Sequence, residues 1–187
     1  MGVDKVILFI EGETNSPNGN LRQGFSKLLE GSLGGKKPAL KMGDGKCQAV
    51  KKFLKNKLPC SLALLLVDLD GPENILKDDL VQNGLEAESQ NVFYMIQEME
   101  SWFISQPNIL DLFYGVDENK KKISEKLLKK NPRDFPEPDK ELEKLTKTTS
   151  RGEYHKIKHG VELLKLLDSR RLELDFSEYK RLIDRLR

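Results

Sequence analysis

With 187 residues the chain has the length of one domain with a decorated end, enough to bury a single core. Its 32 basic and 30 acidic residues leave a net charge of +2, which excludes both a strongly basic nucleic-acid coat and an acidic solvating protein. Cys47 and Cys60 lack CxxC spacing and predict reduced cytoplasmic thiols, while no apolar run approaches the roughly 18 residues of a membrane span, so no membrane is expected.

The first half reads as strands alternating with helices. Lys5–Ile10, "KVILFI", is a short apolar run suited to a strand covered on both faces. The turn formers of "EGETNSPNGN" stop it. From Asn20 to Glu30, Leu21, Phe25, Leu28 and Leu29 recur at helical intervals, with Gly31 placed to end the helix. "PALKM" (38–42) is a weaker strand, followed by the loop "GDGK" and a helix striped by Val50, Phe53 and Leu54. "SLALLLV" (61–67) is the strongest strand in the chain. Three strands separated by two helices imply parallel crossovers and helices on both faces.

Open sheets of this kind bind ligands beyond the carboxyl ends of their strands. Glu11 and Glu13 stand there after the first strand, Gly43-Asp44-Gly45-Lys46 after the second, and Asp68 and Asp70 after the third. A strand-end aspartate commonly caps a turn, and Asp70-Gly71 suits that role. Two carboxylates about 4 Å apart, however, repel by roughly 4 kcal/mol at an effective dielectric near 20. Gathering Glu11, Asp68 and Asp70 therefore calls for a cation or a shared proton. Magnesium or manganese answers that need, since magnesium prefers oxygen ligands and takes only one or two carboxylates directly.

"FIEGETN" after the first strand and "VDLDG" after the third together resemble the TOPRIM fold of topoisomerases, primases and OLD-type nucleases. That resemblance implies magnesium held by these acids. A likeness over most of the chain, carried by "IEGETN", "GDGK", "MESWF" and "YHKIKH", resembles a prokaryotic domain-of-unknown-function family, number 4276, that is TOPRIM-like and often accompanies an ATPase. It implicates Glu11, Lys46, Asp68, Asp70, Glu100, Trp102, Tyr154, Lys156 and His159. The chain departs from the simplest TOPRIM pattern, because Asp70 leads into a long charged insertion with no further DxD.

The segment "NVFYMIQEMESWFI" reads as a fourth strand over 91–97 with Glu100 opening the next helix, in preference to one long helix. Either way Glu100 leaves bulk solvent, where it needs a lysine partner or a ligand. Trp102 belongs to the core. The charged stretch beyond residue 118 predicts a helix over Asn119–Lys130, then an irregular crossing at Pro132, Pro136 and Pro138. Its lysines read as a solvated face, with phosphate binding as the alternative. A further helix, Arg151–Asp168, buries Tyr154, Ile157, Val161 and Leu164, and brings Lys156 and His159 together on another side for a phosphate or a carboxylate. "SEYKRLIDRLR" closes the chain as an amphipathic helix capped by Ser177.

The expected architecture is thus α/β, a Rossmann-like (TOPRIM-like) sheet of mainly parallel strands with helices on both faces over residues 1–110, and a charged helical C-terminal extension packed on it over 111–187. The leading function is a metal-dependent phosphodiesterase or nuclease, the effector partner of an ATPase in a defence system. Glu11, Asp68 and Asp70 would be its metal-holding catalytic set, with Lys46, Glu100, Lys156 and His159 toward a nucleic-acid or nucleotide substrate. One alternative is a non-catalytic regulatory or binding subunit of an ATPase complex. Another is a haloacid-dehalogenase-like phosphatase with Asp68 as nucleophile, although that motif normally lies on the first strand. "GSLGGKK" lacks the spacing of a phosphate loop and is set aside.

Overall fold

A computed structural model describes residues 5–13, 21–35, 37–56, 59–127 and 131–187. The predicted turn over 14–20 and the predicted helix end at 128–130 lie outside the described residues. Four strands, β1 (Lys5–Ile10), β2 (Ala39–Met42), β3 (Ser61–Asp68) and β4 (Val92–Met95), form one parallel sheet in the order β2-β1-β3-β4. Both central strands are buried on two faces, which is why their sequences are continuous apolar runs without alternation.

Successive side chains nevertheless divide between the faces. Leu8, Ile10, Leu64, Leu66, Phe93 and Met95 belong to one apolar cluster, and Ile7, Phe9, Leu65, Val67, Val92 and Tyr94 to another. The second, smaller cluster is covered by α2 (Lys46–Leu54) and by Leu76 and Leu80 of α3 (Leu76–Gln82). The larger cluster is covered by α1 (Leu21–Leu33), by α4 (Glu100–Ile104) and α5 (Pro107–Tyr114), and by the later helices. These are α6 (Ile123–Leu127), α7 (Pro138–Thr146), α8 (Lys156–Leu166), α9 (Ser169–Asp175) and α10 (Ser177–Leu186). Its members run from Leu8 to Ile183, so one apolar interior spans residue 110.

Several boundaries differ from the sequence reading. Helix α1 continues through Gly31, where a Cβ would lie 2.5 Å from Ser169 Oγ, so glycine there lets α9 approach. The stop comes at Gly34, whose φ of +63° is left-handed and whose N–H donates to the Glu30 carbonyl. Leu54 is 42% exposed, and Ala49 takes its place beside Val50 and Phe53 in the stripe of α2. Among the described residues, the charged helix expected from Asn119 begins only at Ile123. Asp117 captures the N–H groups of Asn119 and Lys121 on its carboxylate and holds that segment in a turn.

Helix α8 begins at Lys156, not Arg151. Gly152 has a φ of +76°, the Tyr154 N–H donates to Thr146 Oγ1, and His155 caps the helix by accepting from the Lys158 N–H. Ser177 does not cap α10; its hydroxyl donates to Glu73 and Phe176 stands at the cap position. Asn91–Gln97 does supply a strand, β4, and Glu100 opens α4 as expected.

Candidate functional site

The strand ends of β1 and β3 place Glu11 and Asp68 side by side. The Asp68 N–H donates to Glu11 Oε2 at 3.1 Å, which ties the first acid to the second through the backbone. Asp68 is 4% exposed, and its Oδ1 accepts the Met99 N–H at 2.8 Å from the turn that leads into α4. These two groups line a cleft of about 400 Å³ at the carboxyl edge of the sheet, together with Glu13, Asp44, Gly45 and Lys156 over a floor of Leu21, Phe25, Met95, Met99 and Ile157. That volume lies within the usual range for small-ligand sites.

Behind the cleft stands a buried acid that no solvent reaches. Glu100 is 0% exposed, its Oε1 accepts the Tyr154 hydroxyl at 2.7 Å, and its Oε2 lies 3.5 Å from the Lys156 ammonium without hydrogen-bond geometry. The same ammonium lies 3.3 Å from Asp68 Oδ2. Lys156 thus bridges a carboxylate of the sheet and one of α4 from the first turn of α8.

Glu98, which the sequence reading passed over, joins this group and has an Oε2 without a hydrogen-bond partner among the described residues. Its only signal in the sequence was its place two residues before Glu100, and alternate charged residues in a loop carry no burial pattern.

Electrostatics follow from four carboxyl groups facing one ammonium. Burial, then the charge of Asp68, pushes Glu11 up to about 7. Burial, then Glu100 and Asp139, pushes Glu98 up to about 7. Burial also raises Asp68 and Glu100, against the pull of Lys156. For Lys156 itself burial opposes the charge, but Asp68, Glu100 and Glu98 outweigh it and hold the ammonium firmly protonated.

Residues 12–187 match the family described as "Domain of unknown function (DUF4276)". The chain belongs to this family. No curated protein and no solved structure matches it. The DUF4276 match covers Asp68, Glu98, Glu100 and Lys156 and begins one residue after Glu11.

Within this DUF4276 chain the other expected residues are set apart from the Glu11–Asp68 pair. Asp70 has a φ of +58°, which supports the turn reading, and its 59% exposed side chain pairs with Lys46 at 3.0 Å. Lys46 also pairs with Asp79 at 2.9 Å and donates to the Leu69 carbonyl. Asp79 and Asp70 overcome the cost of burial and raise the pKa of Lys46. Nothing in the sequence linked Asp79 to this lysine.

His159, three residues from Lys156 on α8, has other partners. It is 6% exposed, its Nδ1 is 3.0 Å from the Tyr114 hydroxyl, and Phe113, Tyr114 and Tyr154 pack around its ring. Burial, then Lys158, His155 and Arg151, lowers its pKa. Trp102 lies in the core with its ring against Phe25, Phe176 and Tyr179.

Among the described residues, no three acid, histidine or cysteine side chains group closely enough to cage an ion by themselves. The donor chemistry still suits a hard cation that keeps most of its waters. Every donor is a carboxylate, the carboxyls outnumber the facing ammonium, and Glu98 and Glu100 each leave a buried oxygen without a hydrogen bond among the described residues. Among the described residues, no helix is long and apolar enough to cross a membrane.

Proposed function

We propose that the chain is a magnesium- or manganese-dependent phosphodiesterase, a TOPRIM-like nuclease acting on nucleic acid or a nucleotide, and that it works in the cytoplasm beside an ATPase partner in a prokaryotic defence system. The observation that carries this reading is the hydrogen-bonded Glu11–Asp68 pair at the carboxyl edge of a parallel sheet, in a cleft with more acid than base. Glu11 and Asp68 would hold the ion, with Asp70 reaching it through water from the rim. Bound there, a divalent cation supplies positive charge to a phosphate and lowers the pKa of a water.

The protein's own groups do the rest. Glu11, with a pKa near 7, is matched to accept a proton at neutral pH if it stands free of the ion. The N-terminus of α2 has no side-chain cap and opens beside the cleft at Gly45, so its N–H groups favour phosphate oxygens. Lys156 adds a cation at the cleft, shared with Asp68 and Glu100.

A second reading, the non-catalytic subunit of an ATPase complex, draws on the Lys156 bridge, because a lysine already neutralises part of the acid set. The phosphatase reading is weaker, since Asp68 ends the third strand in chain order, β3, whereas that motif normally lies on the first.

The deciding experiment is cleavage of labelled single- and double-stranded DNA and RNA, with magnesium or manganese against chelator, in wild type and Asp68→Asn. Metal-dependent products lost in the variant support the phosphodiesterase. No cleavage of any substrate, together with tight binding to a neighbouring ATPase, would establish the subunit instead. Aspartyl-phosphate trapped at Asp68 would establish the phosphatase.

A further inference from the structure

Lys156 contributes more than a phosphate contact. It is the first residue of α8, yet its side chain reaches across to the end of β3 and the start of α4, so its ammonium lies where three separately built pieces of the fold meet. Its two partners differ from it in one physical respect. Asp68 and Glu100 are locked, the first by the Met99 N–H and the second by the Tyr154 hydroxyl, and both are almost fully buried. Lys156 is 46% exposed, on a flexible four-carbon stem at the mouth of the cleft.

A fixed pair of acids with one mobile cation is an arrangement in which the cation can be exchanged while the acids stay. The contacts are also submaximal, at 3.3 and 3.5 Å, and Glu100 Oε2 has no hydrogen bond among the described residues, so the ammonium satisfies the acids incompletely.

We infer that Lys156 is the resident counter-ion of this site: a divalent cation arriving at Asp68 displaces the ammonium, which swings toward the cleft mouth and there becomes available to an anionic ligand. Metal and anion would then bind in order, because the ammonium leaves Asp68 for a phosphate only once the cation has taken its place. The inference rests on the metal-dependent reading above and adds the regulation of that same site. It also separates Lys156 from Lys46, whose two acid partners do not include Asp68.

Two measurements test it without using activity. In the wild-type protein, acetylation of Lys156 by a water-soluble acylating reagent, followed by mass spectrometry, is expected to rise several-fold when magnesium is added, with Lys51 on α2 as the internal reference. Labelling unchanged at a magnesium concentration that does raise the melting temperature would overturn the displacement while leaving the metal site intact. No melting shift at any magnesium or manganese concentration would remove the metal reading and this inference with it.

The second measurement is manganese titration by electron paramagnetic resonance on wild type, Lys156→Met and Lys51→Met. Lys156→Met is expected to bind manganese about tenfold more tightly, within the usual span of couplings between two ligands at linked sites. Lys51→Met removes the same charge from an exposed position and is expected to match wild type. Equal or weaker manganese binding by Lys156→Met would overturn the inference, and the wild-type labelling decides it should that variant fail to fold.

Discussion

Glu11 and Glu98 show how a single side chain reports on the cleft. A carboxyl whose folded pKa is raised from 4.5 to about 7 binds more protons folded than unfolded between those values. Stability contributed by that proton is present below pH 4.5 and is lost as pH rises through 7. Glu11→Gln keeps an oxygen acceptor for the Asp68 N–H and removes the charge. The variant is therefore expected to gain on wild type between pH 5 and 8, by about 1 kcal/mol after discounting for solvent screening at this partly exposed site. Urea melts at pH 5, 6, 7 and 8 read this directly, and a difference independent of pH would show that Glu11 titrates normally.

At the same scale, magnesium at a hundred times its dissociation constant should add about 2.7 kcal/mol to the stability of wild type. Asp68→Asn should lose that gain. An equal melting shift in the variant would remove Asp68 from the ligand set.

Among the elements, α10 does a task that the sheet requires. β4 is an edge strand, and its free backbone groups would otherwise invite another strand. Glu178 accepts the Tyr94 N–H, and Arg181 donates to the Val92 carbonyl while pairing with Glu178 at 2.7 Å and lying over the Phe93 ring at 4.2 Å. Two side chains one turn apart on a helix thereby imitate a neighbouring strand. Arg181→Ala should cost about 2 kcal/mol, because it leaves the nearly buried Glu178 without its cation. It should also speed hydrogen exchange at the Tyr94 amide. Loss of less than about 0.5 kcal/mol would mark the pair as an ordinary surface contact. The opposite edge, β2, is protected by other means: it is four residues long, follows Pro38 and exposes Lys41.

Taken as one body, the chain is held by an aromatic knot that draws on both its halves. Trp102 of α4 meets Phe25 of α1, Phe176 before α10 and Tyr179 within it, with ring centroids 5.2 to 6.4 Å apart. Trp102→Ala should cost about 3–5 kcal/mol, the usual penalty for emptying so large a buried volume. Trp102→Phe should cost much less, since the indole N–H it removes has no hydrogen-bond partner among the described residues. Because this is the single tryptophan, its fluorescence reports on the knot while circular dichroism reports on all helices. The two unfolding curves should coincide. Separate transitions would mean that residues 111–187 fold as an extension independent of the sheet.

The sequence alone determined what depends on neighbours in the chain. Apolar runs marked the strands, turn formers ended them, and the order of strand and helix required a parallel sheet with acids gathered at one edge. Trp102 was legible as core and Glu100 as a buried acid at a helix start, because burial leaves a local pattern.

What depends on distant pairing was not legible. Lys156 and His159 are three residues apart within α8, but the helical interval did not say what each would meet, and one side chain reaches Asp68 while the other enters an aromatic pocket. Asp70 read as the equal of Asp68, but a left-handed backbone turns it to Lys46 at the rim. Local periodicity decides which residues are buried. Which acid faces which base is decided by side chains up to 88 positions apart, and only the packed tertiary structure brings those together.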